Sequence, residues 1–202
     1  MEKDRNTEQK ILEAAEAVFH EKDFAGARMQ EIAEQAGINK GLLHYYFKTK
    51  DALFEAIFSV ALNSILSKIL VILEMDIPLE EKISHMVDQY MTMLLRTPSL
   101  PKFVLNELNK NPDRFISKHM NKNAHAAFNS FVRSVEREAG RGKIKPIDPR
   151  QLFTNLLSLL IFPFVGRPLL QSVFGTDHAA FKQLLAERKT HIKEFVANAL
   201  RT

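Results

Sequence analysis

The 202-residue sequence contains no cysteine, which excludes a disulfide framework and thiolate chemistry. Glycine and proline are scarce, at 7 and 8 residues. With helix-forming residues filling the space, that scarcity favours an all-α protein. An excess of one charge is lacking too. The 28 Lys and Arg stand against 24 Asp and Glu, and the small positive balance points to nucleic acid only weakly. Neither a glycine-rich phosphate loop nor a nucleophile–base arrangement occurs, so no cofactor and no enzymatic activity is expected. The N-terminal MEKDRNTEQK has no apolar segment that could serve as a secretory signal. The longest uncharged stretch, between Arg150 and Arg167, is broken by Asn155, Pro163 and Gly166. A membrane span needs ~20 mostly apolar residues, so this stretch reads as a buried helix. A cytoplasmic protein with no membrane partner is expected.

What is present suits a globular chain: 46% hydrophobic and 26% charged residues, at a length that buries a sizeable core. Ile11, Ala15, Val18 and Phe19 recur at helical spacing within residues 8–21, and Asp23–Gly26 reads as the break after that helix. Met29, Ile32, Ala33 and Ala36 give a short second helix, and Gly37 supplies the left-handed backbone that ends it. Asn39 is suited to cap a third helix, in which Leu43 and Phe47 share the buried face. Two short helices around a tight Gly-containing turn have helix-turn-helix spacing. Thr49 is placed to cap a long fourth helix, whose Leu53, Phe54, Ile57, Phe58, Ile65, Leu66 and Ile69 imply packing on two sides. Prolines 78, 98, 101 and 112 divide the next region into helices of about 79–96, 101–110 and 112–139. RGKIKPIDP is a loop. Helices at about 148–173, bent near Pro163–Pro168, and 178–200 complete about nine.

Burying Leu43 and Phe47 sends the remaining third-helix residues to the surface. Between Gly37 and Lys50 the only charged residues are cations, although residues 1–50 are close to neutral overall. A helix in the DNA major groove reads base edges near its N-terminus and fixes its register on phosphates. Lys40 can donate to guanine, Gly41 allows close backbone approach, and Leu42 can touch a thymine methyl. His44, Tyr45 and Tyr46 can donate to phosphates. Lys48 and Lys50 flank the fourth helix, whose free amides also favour a phosphate. The competing account is a solvated helix with its tyrosines packed on a neighbour.

The stretch Ile11–Phe58, above all GINKGLLHYYFKTKDALFEAI, resembles the DNA-binding domain of the TetR family of bacterial repressors, and EIAEQAG at Glu31–Gly37 resembles that family's second helix. Two departures stand out. His44 occupies a position where many members have tyrosine. Arg28 and Met29 stand where many have threonine, and there Arg28 would replace a neutral phosphate contact with a charged one. The resemblance implies a helix-turn-helix domain over residues 1–50 and a helical effector-binding and dimerisation domain over 51–202. It further implies a homodimer paired through helices 148–173 and 178–200, a double-stranded DNA operator, and an unidentified small-molecule effector.

Leu152, Leu156, Leu159, Leu160, Leu184, Leu185, Ile192, Phe195 and Val196 are candidates for the dimer interface or the core. Met86, Tyr90, Met93, Phe103, Phe128, Phe131 and Phe162 suit an apolar cavity, but Met and Phe at helical spacing fill ordinary cores more often. No ligand-binding residue is assigned. Glu81, His85 and Asp88 share a helix face, but a solvated charged face explains them better than a metal. Two rival functions are a helical sensor or adaptor that has lost DNA binding, and a small helical enzyme without a visible catalytic constellation.

Overall fold

The computed structural model describes residues 2–120 and 122–201. Among them are eleven helices and no strand: α1 Glu2–Gly26, α2 Met29–Gln35, α3 Lys40–Tyr46, α4 Lys50–Glu74, α5 Leu79–Arg96, α6 Leu100–Lys110, α7 Pro112–His119, α8 Lys122–Gly140, α9 Pro149–Val165, α10 Arg167–Phe174 and α11 His178–Leu200. The all-α expectation holds, and two of the nine expected helices are divided.

The first division falls in the expected 112–139 helix, where Asn121 lies outside the described residues. Met120 closes α7 with non-helical backbone angles. Between His119 and Ala127 no described residue is buried, so no apolar stripe carries the helix across that segment. The second division falls within the expected Pro163–Pro168 interval. The axes of α9 and α10 differ by 74° about Gly166, where a Cβ would lie 2.9 Å from Cζ of Phe162. Pro163 itself stays inside α9. Proline has no N–H for the carbonyl four residues back, which here is that of Leu159. Arg188 Nε of α11 donates to this oxygen at 3.0 Å.

The chain divides into two compact units. The first comprises residues up to Asn63 together with Arg96–Leu100. This compact unit thus runs past residue 50 into α4. Leu53, Phe54, Ile57 and Phe58 of α4 are buried, and Phe54 meets Phe19 and Phe24 edge-on, with centroids 4.9 and 5.0 Å apart. Phe24 also stacks on Phe19, which carries α1 on to Gly26, past the break expected at Asp23. The short Arg96–Leu100 segment is fastened to α1 in two places. Arg96 pairs with Glu16 at 2.7 Å, and its carbonyl lies 2.7 Å from His20 Nδ1.

The second unit comprises Ser64–Leu95 and the described residues from Pro101 on. Its core takes Met86, Met91, Phe103, Phe131, Leu152, Leu156, Leu160, Leu185, Ile192 and Val196. Asp88, expected on a solvated face, instead receives Lys189 at 2.9 Å and Lys193 at 2.6 Å from α11. Burial pushes its carboxyl up, but hydrogen bonds from the two lysines outweigh this and hold it below its ordinary value. Lys82 is buried and donates to the Leu73 carbonyl at the end of α4. By length and composition α4 is apolar enough to cross a membrane; many of its apolar residues, including Ile65, Leu66, Ile69, Ile72 and Leu73, are buried within the protein.

Candidate nucleic-acid interface

The geometry of the first unit is set by short-range bonds. Gly37 has φ +69°, which a Cβ-bearing residue adopts only at a cost. Its N–H donates to Glu34 O and that of Ile38 to Ala33 O, both at 3.0 Å. This pair of bonds is the Schellman closure of α2. Two residues on, the Asn39 side chain accepts from Leu42 N at 2.8 Å and caps α3. A side chain at Gly41 would bring its Cβ to 3.3 Å from that capping oxygen. Thr49 Oγ1 accepts from Ala52 N at 3.0 Å and caps α4. Each of these three roles matches the expectation from sequence.

Leu43 is fully buried and Phe47 nearly so, which orients α3. Lys40, Gly41, Leu42, His44, Tyr45 and Lys48 are exposed and Tyr46 is half-buried. Tyr45 is 79% exposed, against 37% for Leu42, and the Tyr46 ring lies edge-on to it at 5.5 Å. Cationic, hydroxylic and apolar groups thus share one exposed face, the set needed to touch phosphates and base edges together.

Arg28 is exposed at the N-cap of α2. A guanidinium has no acceptor atom, so it cannot receive an amide there. Only the returning half of a capping box forms, from Arg28 N to Glu31 Oε2 at 3.3 Å. Glu31 also accepts from Lys22 Nζ at 3.1 Å, and that bond holds its carboxyl below the ordinary value. Lys22 and Glu31 therefore tie α1 to α2. Their separation of nine residues gives no periodic signal in the sequence.

Lys50 departs from the arrangement expected of it. It is half-buried, and its ammonium donates to Phe24 O at 2.7 Å and Ala27 O at 3.0 Å.

In the second unit the apolar cavity candidates separate. Met86, Phe103 and Phe131 are buried, whereas Phe162 is 52% exposed. An open groove of about 360 Å³ lies elsewhere, with Glu80, Ile83 and Ser84 of α5 facing Lys193, Glu194 and Val196 of α11. The interface candidates separate as well. Leu152, Leu156, Leu160, Leu185, Ile192 and Val196 are core, and Phe195 is exposed. An exposed apolar set on α10, namely Leu169, Val173 and Phe174, was not among the candidates. The Leu169/Val173 pair at i, i+4 was its visible signal.

Residues 11–57 match the family of bacterial regulatory proteins called tetR, and residues 80–196 match the tetracyclin repressor-like C-terminal domain. The HTH-type transcriptional regulator RutR of Escherichia coli is 43% identical over 53 residues, 26% of this chain and 25% of RutR. That match, like the one to YttP of Bacillus subtilis, spans about a quarter of the relative's length. The HTH-type transcriptional repressor NicS of Pseudomonas putida is 26% identical over 213 residues, covering 96% of this chain and 92% of NicS. The fold is similar to that of a choline-bound protein from Saccharomonospora viridis, with a TM-score of 0.73 at 17% identity over 98% and 99% of the two chains.

Proposed function

The chain belongs to the tetR family of bacterial regulatory proteins, and from that premise we propose that this transcriptional regulator is a cytoplasmic, homodimeric repressor released from a palindromic operator by a small-molecule effector. The observation that carries the reading is the exposed α3 face. Its cap, its buried Leu43 and Phe47, and the cations around it present a short helix of the kind that enters a major groove. Arg28, Lys40, Gly41, Leu42, His44, Tyr45, Tyr46 and Lys48 are the proposed DNA contacts. Lys40 and Leu42 read bases, and the others hold phosphates and backbone. The near full-length similarity to NicS, a repressor by name, supports repression over activation.

Dimerisation is supported by α10, which buries none of its residues. Leu169, Val173 and Phe174 are exposed there, as are Phe162 on α9 and Phe195 on α11. A set of exposed apolar groups on adjacent helices is a surface that a monomer would pay to hydrate. A second copy, related by a two-fold axis through the 148–173 and 178–200 segments, would cover it. Two α3 helices in such a dimer would meet half-sites about 34 Å apart. An effector that prefers the state with mismatched helix spacing shifts the population away from DNA. The lever is α4, one continuous helix whose residues 50–63 belong to the first unit and 64–74 to the second. No membrane enters this reading.

The test is fluorescence anisotropy with DNA from upstream of the protein's own gene and with duplexes selected from a random library. Wild type, Lys40→Ala and Tyr45→Ala are compared at two salt concentrations. Tight, salt-sensitive binding by the wild type and loss in both variants is the expected result. A wild type that binds selected and random duplexes equally would sink the proposal. Sedimentation velocity on Val173→Glu tests the dimer: a variant that stays dimeric excludes α10 from the interface.

A further inference from the structure

Lys50 opens α4 and ends the row of cations between Gly37 and Lys50, where a phosphate contact is the first role to suggest itself. Its ammonium is already engaged. It donates to the carbonyls of Phe24 and Ala27 at 2.7 and 3.0 Å, and the Phe24 ring centroid lies 4.6 Å from Nζ. Two of its three protons are thereby placed on oxygens, and an aromatic face lies beside the charge.

The location of those oxygens gives the contact its meaning. Phe24 lies in the last turn of α1 and Ala27 just beyond its end. The final four carbonyls of a helix have no partner within the helix, and the helix dipole is negative there. A lysine in the last turn commonly answers both needs, but α1 has no basic residue in its last turn. The cation is supplied from α4, 26 residues downstream of Phe24. Ala27 is buried and directly precedes exposed Arg28, the N-cap of α2. Lys22 and Glu31 also join α1 to α2 across the same linker. The short linker bearing Arg28 is therefore held by two contacts, the Lys22–Glu31 pair between α1 and α2 and the bonds from Lys50 of α4.

We infer that Lys50 is a positioning residue of the DNA-reading surface and not one of its phosphate contacts: its ammonium closes the C-terminal end of α1 and fixes the corner that presents Arg28 and the start of α2. The inference rests on the DNA-binding reading above. Without Lys50 the corner samples several arrangements in the free protein, and binding must order it again.

Two measurements distinguish the roles. The first is the dependence of operator affinity on salt, using a duplex selected by the wild-type protein. A side chain that neutralises one phosphate contributes about 0.9 to the slope of log K against log salt. The second is the melting temperature of the free protein, which a pure DNA contact does not support. Lys50→Met is expected to bind about tenfold more weakly, the order set by losing a hydrogen bond to a charged group, with unchanged slope and a lowered melting temperature. Exposed Lys48 gives the contrast, because Lys48→Ala is expected to lose about one unit of slope. Lys50→Arg keeps the charge should the methionine variant melt too readily to assay. A phosphate contact survives that change, whereas a planar guanidinium is a poor fit to a site that encloses an ammonium. A Lys50→Met that loses one unit of slope at unchanged melting temperature, or a Lys50→Arg that matches wild type in both measurements, overturns the inference alone. A wild type that selects no duplex overturns the DNA-binding reading and this inference with it.

Discussion

Arg188 substitutes for the N–H that Pro163 lacks, and this account of α9 predicts a specific energetic coupling. In an uninterrupted helix residue 163 would donate to the carbonyl of Leu159. Here Arg188 Nε does so at 3.0 Å from α11. Arg188→Met keeps an apolar stem and removes the donor. The loss is one hydrogen bond from a charged group, about 1.5–3 kcal/mol, because a part-buried carbonyl is left unpaired. A smaller gain opposes it, since burial already works against the guanidinium and lowers its pKa. The net cost is about 1–2 kcal/mol, or a fall of roughly 2–8 °C in melting temperature for a chain of this size.

The single variant does not identify the mechanism, but the cycle with Pro163→Ala does. That substitution restores the helical N–H, while also emptying the buried ring volume and loosening the unfolded chain. Those side effects are common to both arms of the cycle and cancel in the coupling energy. In the Pro163→Ala background the Leu159 carbonyl has its own donor, so Arg188→Met is expected to cost about 1 kcal/mol less there than beside Pro163. Urea unfolding of the four proteins, followed by circular dichroism at a shared m-value, measures the difference. An equal cost of Arg188→Met in the two backgrounds would refute the substitution argument.

Three further outcomes are expected. Gly37→Ala places a Cβ residue at φ +69° with nothing within 4 Å, so its cost is conformational, about 1–2 kcal/mol, less the ~0.4–1 kcal/mol that alanine gains through the unfolded state. Gly140→Ala, where φ is not positive and the space is equally open, retains only the gain; equal shifts for the two variants in urea unfolding would contradict the left-handed turn. Asp148 is held to about 2, first by the hydrogen bonds from Arg150. Its contribution to stability is complete above the ordinary value of 3.8 and is lost as pH falls towards 2; carboxyl-carbon NMR of Arg150→Gln should show the midpoint moving back up, and an unmoved midpoint would contradict that cause. Phe54→Ala empties a fully buried site between Phe19 and Phe24 and is expected to cost about 3–5 kcal/mol, read as loss of the first unit's cooperative unfolding.

What was legible in the sequence is what local spacing controls. The roles of Asn39, Thr49 and Gly37 depend on atoms three to five residues away, and residue type and offset suffice for such contacts. The carbonyl partners of Lys50 were hidden for the opposite reason: they lie 23 and 26 residues upstream, and a row of cations looks the same whether it faces a phosphate or a carbonyl. Arg188 and Leu159, 29 residues apart, were equally hidden. Amphipathic spacing told that Leu156, Leu160 and Phe195 lie on apolar faces but not what each face meets, and so core and exposed residues stood together until the fold separated them. A helix apolar on two sides, such as α4, likewise does not reveal by spacing where one core gives way to the next.

The proposed reading helix has only seven residues, well under the ~12–15 that an isolated helix needs in water. Its conformation must therefore be imposed. Upstream it is fixed by the α2 closure at Gly37 and by the Asn39 cap, beneath by Leu43 and Phe47, and downstream by the Phe47 N–H on Leu43 O at 2.8 Å. Each such bond contributes about 1 kcal/mol, too little to act alone and enough together. The α3 surface is thus a property of the whole first unit, and substitutions that loosen its core weaken the presentation of Lys40 and Tyr45 without touching either side chain.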